Sequence, residues 1–276
     1  MDNLAVSEEN ELKLIVSEET QAKMLASIRD MGDKDVEKIL RIVKAVLDLA
    51  EFDVSQERVE TILDEYYDTR DLDLFWSHGS MRVRRSLGKI VVTVKKLQEL
   101  EQGQFSRSEI TEEISEDVYP EFQREGFQDI VANSLPALLN RQFSLLLRVN
   151  NIRRAFSLKR RDEQYNLALD LYTFINPRTG ESSEVQSEVE IEALNLFAKS
   201  KLASIRRNLV DIIKTFSYSK DSKYERGLKY FGFDKPRFIR LLLEKWNSQK
   251  GLAWIGIILG IILGIIGIIT SILLSH

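Results

Sequence analysis

Glu9-Asn10-Glu11-Leu12-Lys13 places two acids and a base at every second position, and this alternation constrains the fold more than any other stretch of the chain. In an extended strand successive side chains point to opposite faces, so Glu9, Glu11 and Lys13 share one face while Leu12, Leu14 and Val16 share the other. Taken alone, the stretch is a half-buried strand with its polar face in water. The pattern recurs, however. Arg82 and Arg84 lie opposite Met81 and Val83; Lys95 lies with Thr93 opposite Val92 and Val94; Glu188, Glu190 and Glu192 alternate with Val189, Ile191 and Ala193. Such charges either face water on an open sheet, many of them in rim salt bridges, or point into a small barrel whose apolar outside is covered by helices.

The rest of the composition narrows the chemistry. A formal net charge of −4 and a pI near 5.5 argue against a general nucleic-acid binder, whose phosphate contacts need a basic surface. Any anion site must be local. With no cysteine and only His78 and His276, thiolate zinc sites, cysteine nucleophiles and histidine-rich metal sites are excluded. A bound metal would have to sit on carboxylates, which suits magnesium, manganese or calcium.

The C-terminal stretch departs from this average. Leu252 to Leu274 carries no charge over 23 residues, about 35 Å as a helix, and only Thr270 and Ser271 interrupt its apolar surface. A buried helix of a soluble domain would keep a polar face, so the sequence predicts a transmembrane helix. Lys245 and Lys250 precede it, which places the N-terminal domain on the cytoplasmic side as a single-pass, tail-anchored protein. The polar, acidic start from Met1 to Asn10 does not read as a signal peptide. Gly256, Gly260 and Gly264 form two small-xxx-small steps on one helical face, the arrangement by which two such helices pack as a homodimer. The expected organisation is a domain over 1–232, an amphipathic juxtamembrane segment over 233–250 that includes the basic stretch from Pro236 to Trp246, and the anchor over 251–276.

Along the chain, Ser17 to Leu49 reads as two helices split near Gly32, the second with an apolar stripe from Val36 to Leu49. Glu65 to Lys96 reads as three strands separated by turns near Ser77 to Ser80 and Ser86 to Lys89. Arg107, Glu109 and Thr111 share one strand face. Ile114 to Gln142 turns helical, with Phe122, Phe127, Ile130, Val131, Leu135 and Leu138 as covering contacts. Leu145 to Leu158, Leu167 to Tyr172 and Glu188 to Ala193 are strands again, and Asn195 to Phe216 reads as a helix. Within Leu167 to Tyr172, alternate leucines leave Asp170 aimed at the polar face.

Taken in order, Glu9-x-Glu11-x-Lys13, Tyr66-Tyr67-Asp68-Thr69, Gly79-x-Met81-Arg82-Val83-Arg84, Thr93-Val94-Lys95, Arg153-x-x-Phe156, the acids of Glu188 to Glu192 and Ser222-Lys223-Tyr224 resemble the CYTH domain of the triphosphate tunnel metalloenzymes. The resemblance spans roughly Met1 to Gly232. It implies an α+β fold, an eight-stranded antiparallel β-barrel covered by helices, whose interior is a charged tunnel. It further implies metal-dependent hydrolysis of inorganic triphosphate or a related triphosphate compound. Within it Glu9, Glu11 and Lys13 would be catalytic, Lys13, Arg82, Arg84, Lys95, Arg107, Arg153 and Lys223 would hold phosphates, and Glu9, Glu11, Asp170, Glu190 and Glu192 would hold Mg2+ or Mn2+. Glu188 shares the face of the last two acids and is placed at the rim. One departure stands at Asn151, where many members carry a lysine.

These residue types suit the reaction. Fully ionised triphosphate carries about four to five negative charges, and hydrolysis concentrates charge on the transferring and leaving oxygens. Arginine forks grip phosphate bidentately and lysine acts as a point charge. Carboxylates crowded together repel one another unless a divalent ion joins them, and that ion bridges phosphate. The same superfamily also contains class IV adenylate cyclases and polyphosphate polymerases, and a non-catalytic polyphosphate sensor at the membrane would share the cations. Tyr66 and Tyr67 read as packing residues, and His78 as an exposed turn residue.

Overall fold

The alternating stretches become strands, and the strands close on themselves. The computed structural model describes residues 5–16, 53–101, 104–117, 119–120, 127–207 and 216–235. In chain order these form β1 (Ala5–Val16), β2 (Asp53–Thr69), α1 (Asp73–Trp76), β3 (Ser80–Ser86), β4 (Lys89–Glu101) and β5 (Gln104–Ile114). Then follow α2 (Gln128–Ser134), β6 (Phe143–Arg160), β7 (Glu163–Ile175), β8 (Gln186–Ala193), α3 (Leu196–Arg207), β9 (Phe216–Tyr218) and α4 (Lys223–Tyr230). The sheet runs β5-β4-β3-β2-β6-β7-β8-β1-β9, and β5 pairs back onto β1. Eight antiparallel strands therefore form a closed barrel. Its two longest strands, β2 and β6, pair with register shifts near Ser55/Arg58 and Tyr66/Tyr67, and such bulges bend a ladder into a curved wall.

Both faces of the wall are buried, for opposite reasons. On β1, Leu12 and Leu14 are fully buried outside the barrel while Glu11 and Lys13 are buried inside it. The hydrophobic core accordingly lies outside. Met81, Val83, Val92 and Val94 pack there with Phe127, Ile130 and Val131 of the α2 region, and Leu138 joins at the margin. Each such side chain contributes roughly 1.5–3 kcal/mol on burial. Covering the greasy face in this way leaves the charged face no place but the interior.

Two stretches differ from the sequence expectation. The helix read from Asn195 to Phe216 is described as α3 up to Arg207, with Asn195 capping it through Oδ1 to the Ala198 amide at 2.9 Å. Phe216 instead opens β9. The reason lies in β1: its pairing with β5 ends at Leu12, and β9 occupies the free edge beside Leu14, Ile15 and Val16. Glu188, placed at the rim from the sequence, is wholly buried.

The chain divides into two compact units, Met1–Gly227 and Leu228–His276. The first holds the barrel and the first turn of α4; in the second, the described residues run from 228 to 235. The helices read within 17–49, the basic segment at 236–246 and the uncharged run at 252–274 with Gly256, Gly260 and Gly264 lie outside the described residues. Among the described residues no helix is long and apolar enough to cross a membrane.

Candidate active site

A cavity of about 230 Å³ opens inside the barrel, and side chains from most of its strands line it. β1 supplies Glu9, Glu11 and Lys13; β3 supplies Arg82 and Arg84; β4, Lys95; β5, Arg107 and Glu109; β6, Arg153; β8, Glu190 and Glu192. The first turn of α4 adds Lys223 and Tyr224. All seven residues expected to hold phosphate thus reach one cavity. Of the five acids expected to hold metal, four line it, and Asp170 is wholly buried against Arg153 and Lys223.

The acids fall into two groups. Around the outer group, Glu11 stands opposite Glu192 and Lys13 opposite Glu190 across the β1–β8 ladder. Both oxygens of Glu11 are taken, Oε1 by Arg107 at 2.8 Å and Oε2 by Lys13 at 2.9 Å. Glu9 accepts from Lys95 at 2.6 Å, and Glu109 pairs with the same lysine at 3.3 Å. Burial works against the charge of Glu9, but Lys95 holds its pKa below the ordinary range. Glu192 differs: its partner is the neutral amide of Asn166, at 3.2 Å. Burial and the neighbouring charge of Glu9 push its carboxyl up.

The inner group is Asp170, Glu188 and Glu190, whose carboxylate oxygens lie within 4.8 Å of one another, as a metal site requires. Fixed cations already occupy it. Lys223 Nζ donates to Asp170 at 2.6 Å, to Glu188 at 2.7 Å and to Glu190 at 2.8 Å, which uses all three of its protons. Arg153 forks onto Asp170 at 2.7 and 2.6 Å and also reaches Glu190, while Arg226 reaches Glu188. Burial would raise the Asp170 pKa, yet Arg153 and Lys223 bring it down to about 2.

Arg82 stands apart among the cations. Its Nε is buried with no hydrogen-bond partner, and its described ion-pair partner, Asp64, is 3.8 Å away. Asp64 is engaged elsewhere, bidentately with Arg84 at 2.7 and 2.8 Å. Burial opposes the Arg82 charge, but Asp64 and the more distant Glu109 and Glu9 raise its pKa. Arg82 therefore stays a cation at the cavity wall, with its Nε sealed off and its nearest carboxylate, among the described residues, 3.8 Å away.

Asp64, Tyr172 and Arg226 were not picked out by sequence reasoning, Glu109 was placed on the face of Arg107 but given no role, and Glu188 was misplaced. Asp64 carries the alternation one step upstream of Tyr66, and Arg226 lies three residues after Lys223 on one helix face, so both left a signal. Tyr66, read as a packing residue, lines the cavity and stacks on Tyr224 with ring centroids 5.3 Å apart. His78 is mostly exposed, as expected, but its Nδ1 meets Glu225 Oε1 at 2.7 Å.

A closed eight-stranded barrel with a charged interior is matched by a family model, that of the CYTH domain, over residues 36–228. The chain belongs to the CYTH family. The match begins after β1, so β1 enters the site through its pairing with β5 and β8. No curated protein matches the sequence. Among solved structures, the CYTH chain is similar to a Hippeastrum protein named for adenylyl cyclase and described by a dominant triphosphatase activity. That likeness has 17% identity and a TM-score of 0.49 over 80% of this chain and 96% of that one. A Bacillus halodurans protein also named for adenylate cyclase is similar at 14% identity and a TM-score of 0.48, over 80% and 97% of the two chains. The Pct1 RNA triphosphatase of S. pombe is similar at 12% identity and a TM-score of 0.30, over 77% and 83%.

Proposed function

We propose that this CYTH protein hydrolyses inorganic triphosphate or a related triphosphate compound, with a divalent cation, inside the barrel. The observation that carries the reading is the gathering of seven cations, Lys13, Arg82, Arg84, Lys95, Arg107, Arg153 and Lys223, on the wall of one cavity, with Arg82 the most loosely held, its Asp64 partner 3.8 Å away.

The charge balance supports a metal partner. Among the described residues around the interior, Lys13, Arg82, Arg84, Lys95, Arg107, Arg153, Lys223 and Arg226 are equalled in number by Glu9, Glu11, Asp64, Glu109, Asp170, Glu188, Glu190 and Glu192. A substrate with about four to five negative charges would upset that balance unless cations entered with it. Glu9, Glu11 and Glu192 fit a hard ion: they are oxygen donors, and among the described residues no cation is bonded to Glu192. When bound there, Mg2+ or Mn2+ would neutralise phosphate charge and make water a better nucleophile. The acids of the inner group are committed instead to Lys223, Arg153 and Arg226.

The chain's own residues bind and orient the substrate. Arg82 offers a guanidinium whose nearest carboxylate is 3.8 Å away, while Lys95 and Arg107, tied to Glu9 and Glu11, hold those carboxylates in place beside the phosphate. Lys13 sits between Glu11 and Glu190, so it joins the two groups of acids across the cavity. Because these donors are fixed before substrate arrives, they would stabilise developing charge with little reorganisation.

Incubation of the purified full chain with tripolyphosphate and Mg2+ or Mn2+ should release phosphate, and Arg82→Gln should weaken substrate binding about tenfold or more. No release of phosphate by the intact protein would sink the reading; cyclic AMP formation from ATP would shift it to a cyclase. The uncharged run 252–274, with Lys245 and Lys250 before it, supports attachment to a membrane with the barrel on the cytoplasmic side. Release of the full chain from membranes by alkaline carbonate would contradict that.

A further inference from the structure

We propose that His78 is a positioning residue: through Glu225 it fixes the first turn of α4 and so holds Lys223 at the triphosphate site. The proposal rests on the triphosphate reading for the purpose of Lys223, but the contact and its effect on the lysine stand apart from it.

Lys223 is the second residue of a tight start. Ser222 caps α4, and Glu225 returns the bond: its Oε2 accepts from the Ser222 amide at 2.7 Å and from the Ser222 hydroxyl at 2.8 Å, while Ser222 Oγ accepts from the Glu225 amide at 3.2 Å. This is a capping box, and it needs only one oxygen of the glutamate. The other oxygen, Oε1, goes to His78 Nδ1 at 2.7 Å, on a different element. Glu225 is 3% exposed, so a spare carboxylate oxygen there would lack solvent as well as a partner.

The turn that carries His78 is built to hold it there. His78 has φ 54°, the left-handed region, and follows α1 with its amide donating to the Phe75 carbonyl at 3.2 Å and that of Gly79 to Leu74 at 2.8 Å. The same turn supports α4 at a second point. Tyr224 donates its hydroxyl to Asp68 Oδ2 at 2.6 Å, and Asp68 also accepts from the Leu74 and Phe75 amides at 3.0 and 2.9 Å. The connection between β2 and β3 thus grips residues 224 and 225 from outside, while Lys223, one residue earlier, reaches inside to three carboxylates. Lys223 and Glu190 both face the cavity, so a phosphate oxygen that displaces Glu190 meets an ammonium whose position the helix start has set. Two struts instead of one keep that turn from swinging away when the third acid is exchanged for phosphate.

Four variants of the full chain test this: His78→Gly, His78→Asn, Lys223→Ala, and His78→Gly with Lys223→Ala. Glycine removes the imidazole and tolerates φ 54°, and asparagine keeps a nitrogen donor near the Nδ1 position in a residue that also tolerates that backbone. Acylation of Lys223 by acetic anhydride, followed by mass spectrometry, reads the seat of the lysine without substrate. Calorimetry with tripolyphosphate and Mg2+ reads binding. His78→Gly should speed Lys223 acylation and weaken tripolyphosphate binding, each about fivefold, with His78→Asn within about twofold of the parent. In the Lys223→Ala background His78→Gly should have no further effect on binding. An unchanged acylation rate in His78→Gly, or an equal loss of affinity with and without Lys223, overturns the proposal. If the intact protein binds no tripolyphosphate, the triphosphate reading fails, and the acylation rates still decide whether His78 holds the lysine.

Discussion

In the inner group of acids every carboxylate has fixed cations against it, whereas in the outer group Glu9 and Glu11 do and Glu192, among the described residues, does not. Asp170, Glu188 and Glu190 surround Lys223 and take in Arg153 and Arg226, so each negative charge there has fixed positive neighbours. Glu192, facing Glu11 across the ladder, has a neutral amide instead. Burial first, then the charges of Glu9 and Glu11, raise the Glu192 pKa. The difference teaches that a count of carboxylates does not locate a metal site. What matters is which carboxylates lack a built-in cation, because those would gain most from an incoming one.

This contrast can be broken by experiment, beginning with the largest effect. Glu188→Ala should cost about 3–5 kcal/mol of folding stability in urea unfolding, because it strands Lys223 and Arg226 in a buried place. If that variant keeps its stability, the inner group is not the structural one. Glu11→Gln should fold, with its amide oxygen still able to accept from one of the two donors, and lose about 10²–10³-fold in phosphate release. Loss of fold with activity retained would invert the assignment.

The pH dependence is next in size. Asp170 has its pKa lowered to about 2 in the folded chain, so its contribution to stability is present above the ordinary aspartate pKa and is lost as pH falls from about 4 toward 2. That contribution is on the order of 2 kcal/mol, and Asp170→Asn should flatten acid unfolding in this window. The smallest effect has the opposite sign. Glu192 binds its proton more tightly folded than unfolded, so its ionisation at neutral pH opposes folding. Glu192→Gln should therefore raise the melting temperature by a few degrees, about 1 kcal/mol, and should respond less than the parent protein to added Mg2+. A lower melting temperature would show that Glu192 is already satisfied.

Much of the site was legible because strands have a period of two. Once Glu9, Glu11 and Lys13 share a face, their joint direction follows, and Arg82 with Arg84 and Glu190 with Glu192 obey the same rule. Which residues would meet was not legible. Asp170 and Glu192 both alternate correctly, yet one is wholly enclosed by cations and the other is left with Asn166. Partners depend on ladder registers such as Asp170 opposite Glu188 and Arg153 opposite Asp170, and these are set by closure of the barrel. His78 illustrates the limit from outside: an exposed turn residue by sequence, it gains a partner 147 positions away only when α4 is in place.

By itself the sequence determined that this chain builds charged-faced strands with an apolar reverse side, that any anion site is local and that any bound metal would sit on carboxylates. Alternation and composition are properties of neighbours along the chain, and need no folding to be read. Only the tertiary structure decided that Lys223 fills the inner acidic group, that Arg82 stands 3.8 Å from its carboxylate and that Glu192 meets a neutral amide. Those are properties of which charges share a low-dielectric space, and closure of β5 onto β1 is what encloses that space.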